Sequence, residues 1–402
     1  MRFSEAFHRL PFPKLLDQSY NATQADAHAA LRRSHLTLSD FARLISPAGA
    51  ELLEPLSQRS HALTQQRFGK VIRFFAPLYL SNECVNNCKY CGFSRDNPIL
   101  RVTLSVEEVV KEAQALKAQG FRNILLVSGE HPKFASNNYI ADCVEALREE
   151  IPGISLEVGP MEKEDYVKMV QAGAEALVVY QETYDTKIYG EVHTAGPKRH
   201  FDWRLDTPER AYEAGFRRLG IGALYGLSDW RYEALALAAH VQHLQRHCWK
   251  SQLTLSFPRL RPHAGEFEPL TDISDAELVQ LMCAFRLFAP DVGLVLSTRE
   301  PARLRDGIIP LGITHLSAGS HTEPGGYTGA GKDNLHLTTR GRIQALTTPM
   351  PGSPSKSGCS TNATGQFDIA DERSPEEVAQ VVRKLGYEPV WKDWDVAILA
   401  NA

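Results

Sequence analysis

VIRFFAPLYLSNECVNNCKYCGF, residues 71–93, is the stretch whose reading decides the fold. Its first ten residues are mostly apolar, with β-branched and aromatic side chains, and read as a buried strand over 71–80. Cys84, Cys88 and Cys91 follow with C-x3-C-x2-C spacing, so three thiols sit on the loop that leaves the strand's C-terminal end. Outward from here, short apolar runs alternate with amphipathic ones. Further strands are expected at 123–129, 154–159, 176–181, 218–226, 252–258, 292–298 and 314–318. Helices are expected between them in SVEEVVKEAQALKAQG, EDYVKMVQAGA, TPERAYEAG, RYEALALAAHVQHLQRH and SDAELVQLMCAFRLF. Several open on Ser, Asp or Thr followed by Glu, or close on Gly, the usual start and stop signals. Eight alternations fit a (β/α)8 TIM-type barrel, because parallel strands need helical crossovers and both sheet faces must be covered. A doubly wound open sheet is the alternative.

The barrel is expected over residues 71–328. Residues 1–70 are rich in helix formers with Leu and Ala at three- and four-residue spacing. They predict a helical cap of two or three helices, with Thr37, Ser39 and Asp40 as candidate caps. Residues 329–366 are rich in Gly, Ser, Thr and Pro and have no sustained apolar period, which predicts a flexible loop or insertion. The tail, 367–402, recovers order with a Ser-Pro-Glu-Glu helix start and an aromatic, strand-like run, and is expected to pack on the barrel.

A chain of 402 residues, 43% of them hydrophobic, is ample for a large core. The net charge of −4 and the lack of a Lys/Arg-rich run speak against a nucleic-acid surface. No apolar stretch reaches the roughly 18–20 residues a bilayer needs. The first twenty residues are broken by charges and prolines, unlike a secretory signal. The expected setting is the cytoplasm, with no membrane or nucleic-acid partner.

Seven cysteines, at 84, 88, 91, 143, 248, 283 and 359, make a poor disulfide framework, because their number is odd and three are bunched. Bunched cysteines in a reducing compartment bind metal more often. Three thiolates from one tight loop can hold three irons of a [4Fe–4S] cube and leave the fourth open for an external ligand. In this chemistry that ligand would be S-adenosylmethionine (SAM), chelating through its amino and carboxylate groups. An aromatic residue before the third cysteine, here Tyr90, suits such a loop. A zinc site would need a fourth ligand that no nearby Cys or His supplies. An electron-carrying ferredoxin-type site is the other non-catalytic reading. Cys143 and Cys283 fall in helical stretches and read as packing residues; Cys248 and Cys359 read as incidental.

Barrel enzymes place their active sites at the C-terminal ends of the strands, and here those ends are polar. Strand two ends in Ser128-Gly129-Glu130, strand four in Gln181-Glu182-Thr183, strand six in Arg259-Leu260-Arg261, strand seven in Arg299-Glu300 and strand eight in Ser317. Ser128-Gly129-Glu130 reads as a clamp for SAM, since Gly lets backbone approach a ligand closely. Arg259 and Arg261 straddle a turn stiffened by Pro258 and Pro262. Arg299 offers a planar fork suited to a carboxylate. The small residues of GIGALYGL make room either for adenine or for a close helix–strand contact.

PLYLSNECVNNCKYCGF, LLVSGEH, VVYQETY, FDWRLDTPERAYEAG, GIGALYGLSDW, SFPRLRP, LSTREP, PGGY and EPVWKDWD together resemble the 2-iminoacetate synthase family of the radical SAM superfamily. The cysteine spacing marks only the superfamily. YQETY and SFPRLRP narrow the resemblance to aromatic amino acid lyases, and PGGY with VWKDWD points to the tyrosine lyases of thiamine biosynthesis. The resemblance implies that Cys84, Cys88 and Cys91 ligate the cluster and that Ser128, Gly129 and Glu130 hold the methionyl amino group. Glu182 and Arg204 would be further SAM contacts. Tyr79, Arg299 and Ser317 match positions that hold the amino acid, with Arg299 on its carboxylate, and Arg259 and Arg261 would line the pocket. The implied reaction splits L-tyrosine at Cα–Cβ into 2-iminoacetate and 4-methylphenol as SAM becomes methionine and 5′-deoxyadenosine. Flavodoxin or ferredoxin is the implied electron donor and thiazole synthase the implied partner. The segment 329–366 is longer than the family's, and lone Cys359 does not supply the second-cluster cysteines of the hydrogenase-maturation lyase. A tryptophan lyase of the same group stays open, since pocket volume is not legible here.

Overall fold

Alternating burial along Val71–Ser81 (β1) is the local root of the architecture: residues 72, 74 and 76 are buried, and every residue from Leu78 onward is. A strand inside a closed barrel is covered on both faces near its C-terminal end, which explains the change. The structure, a computed structural model, describes residues 2–339, 342–344 and 362–391. Seven more parallel strands follow: β2 Asn123–Ser128, β3 Gly153–Glu157, β4 Ala176–Glu182, β5 Arg218–Ala223, β6 Gln252–Ser256, β7 Gly293–Leu296 and β8 His315–Ser317. They pair in sequence order, and β8 closes on β1 through Arg73, Phe74 and Phe75, so the sheet is a barrel and not an open doubly wound sheet. A last strand, β9 Glu388–Val390, lies parallel beside the start of β1.

Helices cross from each strand to the next outside the barrel. Three of them, Val106–Ala118, Asp275–Phe288 and Pro375–Lys384, begin with complete capping boxes, Ser105 with Glu108, Ser274 with Glu277 and Ser374 with Glu377. These satisfy backbone donors that the first helical turn leaves orphaned. The helix Trp230–His247 is buried almost all round, as expected of a helix covered on two sides.

Its outer cover is the N-terminal region, which holds six helices between Phe3 and Phe68 where two or three were expected. Short Pro- and Gly-broken pieces make up the difference. Phe3 stacks on His240 with ring centroids 4.2 Å apart, and Phe41 meets Phe285 and Phe288 at 4.7 and 5.1 Å. Thr37 and Asp40 form a capping box, whereas Ser39 lies inside the helix Leu38–Leu44 and bonds Gln18. The segment expected to be a loop from residue 329 starts with structure: His336–Thr339 pairs antiparallel with Arg342–Gln344 and with Leu100–Arg101, beyond the cysteine loop. Residues 340–341, 345–361 (with Cys359) and 392–402 lie outside the described residues.

Candidate active site

The cysteine loop leaves β1 at the barrel's C-terminal rim and is fixed from several sides. Arg101, 1% exposed, donates to the carbonyls of Asn82 at 2.6 Å, Phe93 at 3.2 Å, Ser94 at 2.8 Å and Asn97 at 3.3 Å. A buried guanidinium with this many carbonyl partners is satisfied, and it gathers the loop around itself. Asn86 donates to the Glu130 carboxylate at 2.7 Å, and the Val85 N–H donates to the Glu130 carbonyl at 2.8 Å. Tyr90 packs beneath Cys88, its hydroxyl 2.6 Å from His193 Nε2. Burial, with Lys198 and Arg204 nearby, pushes His193 down to about 2. The ring is therefore neutral: Nδ1–H donates to the Tyr189 carbonyl, and Nε2 accepts from Tyr90.

Cys84, Cys88 and Cys91 are free thiols. Burial raises all three above the ordinary thiol range; Cys91 adds to the rise of Cys84 and Cys88, and Cys84 to that of Cys88. Such a set becomes a set of thiolates only around a cationic group. Among the described residues, no three His, Cys, Asp or Glu side chains converge as a single metal ion would require. A cube of irons makes a different demand, because each thiolate takes its own corner. The donor set fits an iron–sulfur cluster better than zinc.

Gly129 makes room for this loop. A Cβ there would run into the Glu83 carbonyl and sit 3.2 Å from Cys84 Cβ. Ser128 bonds the Gly129 carbonyl through its hydroxyl at 2.7 Å. Glycines of β5 likewise make room for neighbouring strands: a Cβ on Gly222 would meet the Tyr180 ring at 2.9 Å, and one on Gly220 the Val178 side chain at 2.9 Å.

Glu182 sits where the β4–β5 register slips, with φ of 72°, the sole non-glycine positive φ among the described residues. Strain of this kind is held in place by surrounding structure and clusters at functional sites. Lys198 Nζ donates to its carboxylate at 2.6 Å and Arg204 Nη2 at 3.4 Å. Burial works to raise this carboxyl, but Lys198 and then Arg204 outweigh it and hold it below the usual range. Two cations face one anion, leaving a net positive charge beside the cysteine loop.

Strand ends then enclose a chamber. Tyr79 from β1, Glu157 from β3, Tyr180 from β4, Ser256 from β6, Arg299 beyond β7 and Ser317 from β8 all line it. The Tyr79 hydroxyl donates to Gln366 at 2.8 Å, and Gln366 Nε2 lies 3.7 Å from Cys91 Sγ. The segment 362–371 thus roofs the chamber and joins it to the cysteine loop. Phe367 lies flat against the Arg299 guanidinium, 3.3 Å from its central carbon to the ring centroid. Ser317 Oγ accepts from the Thr298 N–H at 3.1 Å.

Arg259 and Arg261 are not on the chamber wall, which corrects their expected place. Arg259 grips both oxygens of Glu300 and pairs with Asp275 at 2.8 Å, while Arg261 reaches Glu300 at 3.1 Å. Glu300 lines the chamber with the two arginines behind it. Sequence reasoning also missed Glu157, Lys198, Gln366 and Arg101. Glu157 carried a signal, a charged residue ending the third strand in ISLEVG. The other three are placed by tertiary contacts alone.

A closed parallel barrel with three thiols on its first loop defines the radical SAM class. The Radical SAM superfamily model matches residues 78–239, and the Biotin and Thiamin Synthesis associated domain model matches residues 256–388. The 2-iminoacetate synthases of Escherichia coli and Salmonella typhimurium are 41% and 40% identical to this chain over 98% of it and 97% of their own length. Among solved structures, HydG, a maturase of the FeFe-hydrogenase, superposes with TM-score 0.83 at 30% identity over 95% of this chain and 79% of HydG. The chain belongs to the 2-iminoacetate synthase family.

Proposed function

We propose that this protein cleaves the Cα–Cβ bond of L-tyrosine to 2-iminoacetate and 4-methylphenol, for formation of the thiamine thiazole. What supports this most is Gln366, which links Cys91 of the three-thiol loop to Tyr79 on the wall of a chamber that Arg299 also lines, within a chain 41% identical to a 2-iminoacetate synthase over nearly its whole length. When bound, the [4Fe–4S] cluster and SAM supply the electron and the 5′-deoxyadenosyl radical that start the reaction. Cys84, Cys88 and Cys91 would hold the cluster.

The chain's own residues do the rest. Ser128, Gly129 and Glu130 shape the wall beside the cysteine loop, and Glu182 with Lys198 and Arg204 offers charge to SAM's polar groups. Arg299 takes the tyrosine carboxylate, its plane held by Phe367, while Tyr79 and Ser317 fix the amino acid in the chamber. The 362–371 roof excludes water, which strengthens each polar contact beneath it. A flavodoxin or ferredoxin would deliver the electron in the cytosol, and thiazole synthase would take up the unstable imine.

The test is an anaerobic assay of reconstituted, reduced protein with SAM and tyrosine. Equimolar 4-methylphenol and 5′-deoxyadenosine are expected. Turnover of tryptophan to an indole product in place of tyrosine would overturn the substrate assignment.

A further inference from the structure

The polar groups of the chamber are mostly committed to the protein. Tyr79 is bonded to Gln366, Tyr180 to Ser256, Ser317 to the Thr298 N–H, and Glu300 to two arginines. Two charged groups stand apart. Arg299 is stacked on Phe367, and among the described residues its guanidinium has no hydrogen-bond acceptor. The Glu157 carboxylate faces the same chamber from the end of β3 and, among the described residues, has no donor. Leaving a carboxylate away from bulk water without donors is costly, and such groups concentrate where ligands bind.

One uncommitted cation and one uncommitted anion within electrostatic reach of each other complement a zwitterion. An α-amino acid carries both charges on one carbon. We infer that Glu157 receives the α-ammonium group of the substrate and removes one of its protons, while Arg299 holds the carboxylate. In this step an N–H bond breaks, an O–H bond forms on Glu157, and no electron is transferred. The outcome is a neutral amine. Loss of a hydrogen atom from a neutral amine leaves a neutral nitrogen radical, whereas loss from an ammonium leaves a cation radical, a much poorer product.

The groups facing Glu157 are Arg299 beyond β7, Tyr79 on β1, Tyr180 and Glu182 on β4, and Lys198 and Arg204 on the segment after β4. Burial raises the carboxyl to about 7; Arg299 opposes the shift and Glu182 adds to it. A base poised near the working pH is suited to accepting a proton. Below that pH Glu157 already carries a proton, so the step is expected to fade as the solution becomes more acidic.

This inference rests on the amino acid lyase reading, and two measurements keep the two separable. The first is calorimetric binding to anaerobic holoenzyme of tyrosine and of 3-(4-hydroxyphenyl)propanoate, which lacks the amino group. Wild-type protein should prefer tyrosine about tenfold or more at pH 8 and less at pH 6, and Glu157→Gln should abolish the preference. A wild-type preference that does not change between pH 6 and 8 would overturn the inference without any variant. So would an unchanged preference in Glu157→Gln. The second is turnover: general bases contribute on the order of 100- to 10,000-fold, so Glu157→Gln should lose about 100-fold or more in kcat, together with the acid limb of the kcat/KM profile. A folded variant within about threefold of wild type, with that limb intact, sinks the proposal. Absence of 4-methylphenol from the wild-type enzyme would count against the tyrosine lyase reading instead, and the binding comparison would still judge Glu157.

Discussion

Glu157 and Glu233 show how one direction of shift can serve two purposes. Burial raises both, to about 7 and about 8. Glu233 is fully buried and accepts from the Thr183 hydroxyl and from the Tyr184 N–H at 2.8 Å, so it fixes the turn after β4. Glu157 has an open chamber in front of it. A carboxyl whose folded value is raised contributes stability below its unfolded value and loses it as pH rises through the folded one. Glu157→Gln should therefore melt like wild type at about pH 4, gain on it between about pH 4.5 and 7, and keep a constant lead above pH 7. Thermal scans across that range check this, and a lead that narrows with rising pH would contradict the placement. Arg299→Lys keeps the charge but loses both the fork and the flat contact with Phe367. Tyrosine affinity should fall at least about tenfold, roughly 1.4 kcal/mol, as read by calorimetry. Of the rim residues, the arginine next to β7 was legible from the sequence as a residue of the strand-end rim. That Phe367 would hold its plane was not, since 68 positions separate the two.

At the scale of elements, the strand-end rule did most of the work. It placed Glu182, Arg299 and Ser317 at one rim because parallel strands in a barrel all point their C-terminal ends the same way; Tyr79 came from the family resemblance. The rule put Arg259 and Arg261 at the same rim, where both bond Glu300; that they would line the pocket came from the resemblance. Gly129 also admits the neighbouring loop, which no strand-end pattern shows. Gly129→Ala should push the Glu83 carbonyl and the Cys84 side chain outward. The expected result is intact far-UV circular dichroism with a marked drop in iron and sulfide bound per chain after anaerobic reconstitution. Full cluster content in a folded Ala variant would show that the loop can yield.

The whole molecule is a barrel wrapped by its own ends. The N-terminal helices cover Trp230–His247 and Asp275–Phe288, which is why those helices read apolar on more than one face. Phe41, fully buried against Phe285 and Phe288, anchors that cover, and Phe41→Ala should cost about 3–5 kcal/mol. A loss below about 1 kcal/mol in denaturant unfolding would mean that the cover adds little. At the other end, buried Arg305 ties Asp371 and the Ser317 carbonyl together, and the Thr298 carbonyl accepts from the Ala370 and Asp371 N–H groups at 2.9 and 3.1 Å. The returning chain is thereby held over the chamber mouth.

The alternation of apolar runs and capped amphipathic helices determined a parallel α/β fold by itself, because that pattern is local: each strand and helix carries its own period and its own stop. The pairing of β8 with β1 made it a barrel and not an open sheet. The cysteine spacing, likewise a local pattern, put three thiols on the first loop. Only the closed structure decided that Gln366 would bridge Tyr79 and Cys91, that Lys198 would pair with Glu182, and that Glu157 would share a chamber with Arg299. Those contacts form when β8 meets β1 and the tail folds back over the rim. No local pattern encodes them, because what brings distant residues together is the closure of the barrel.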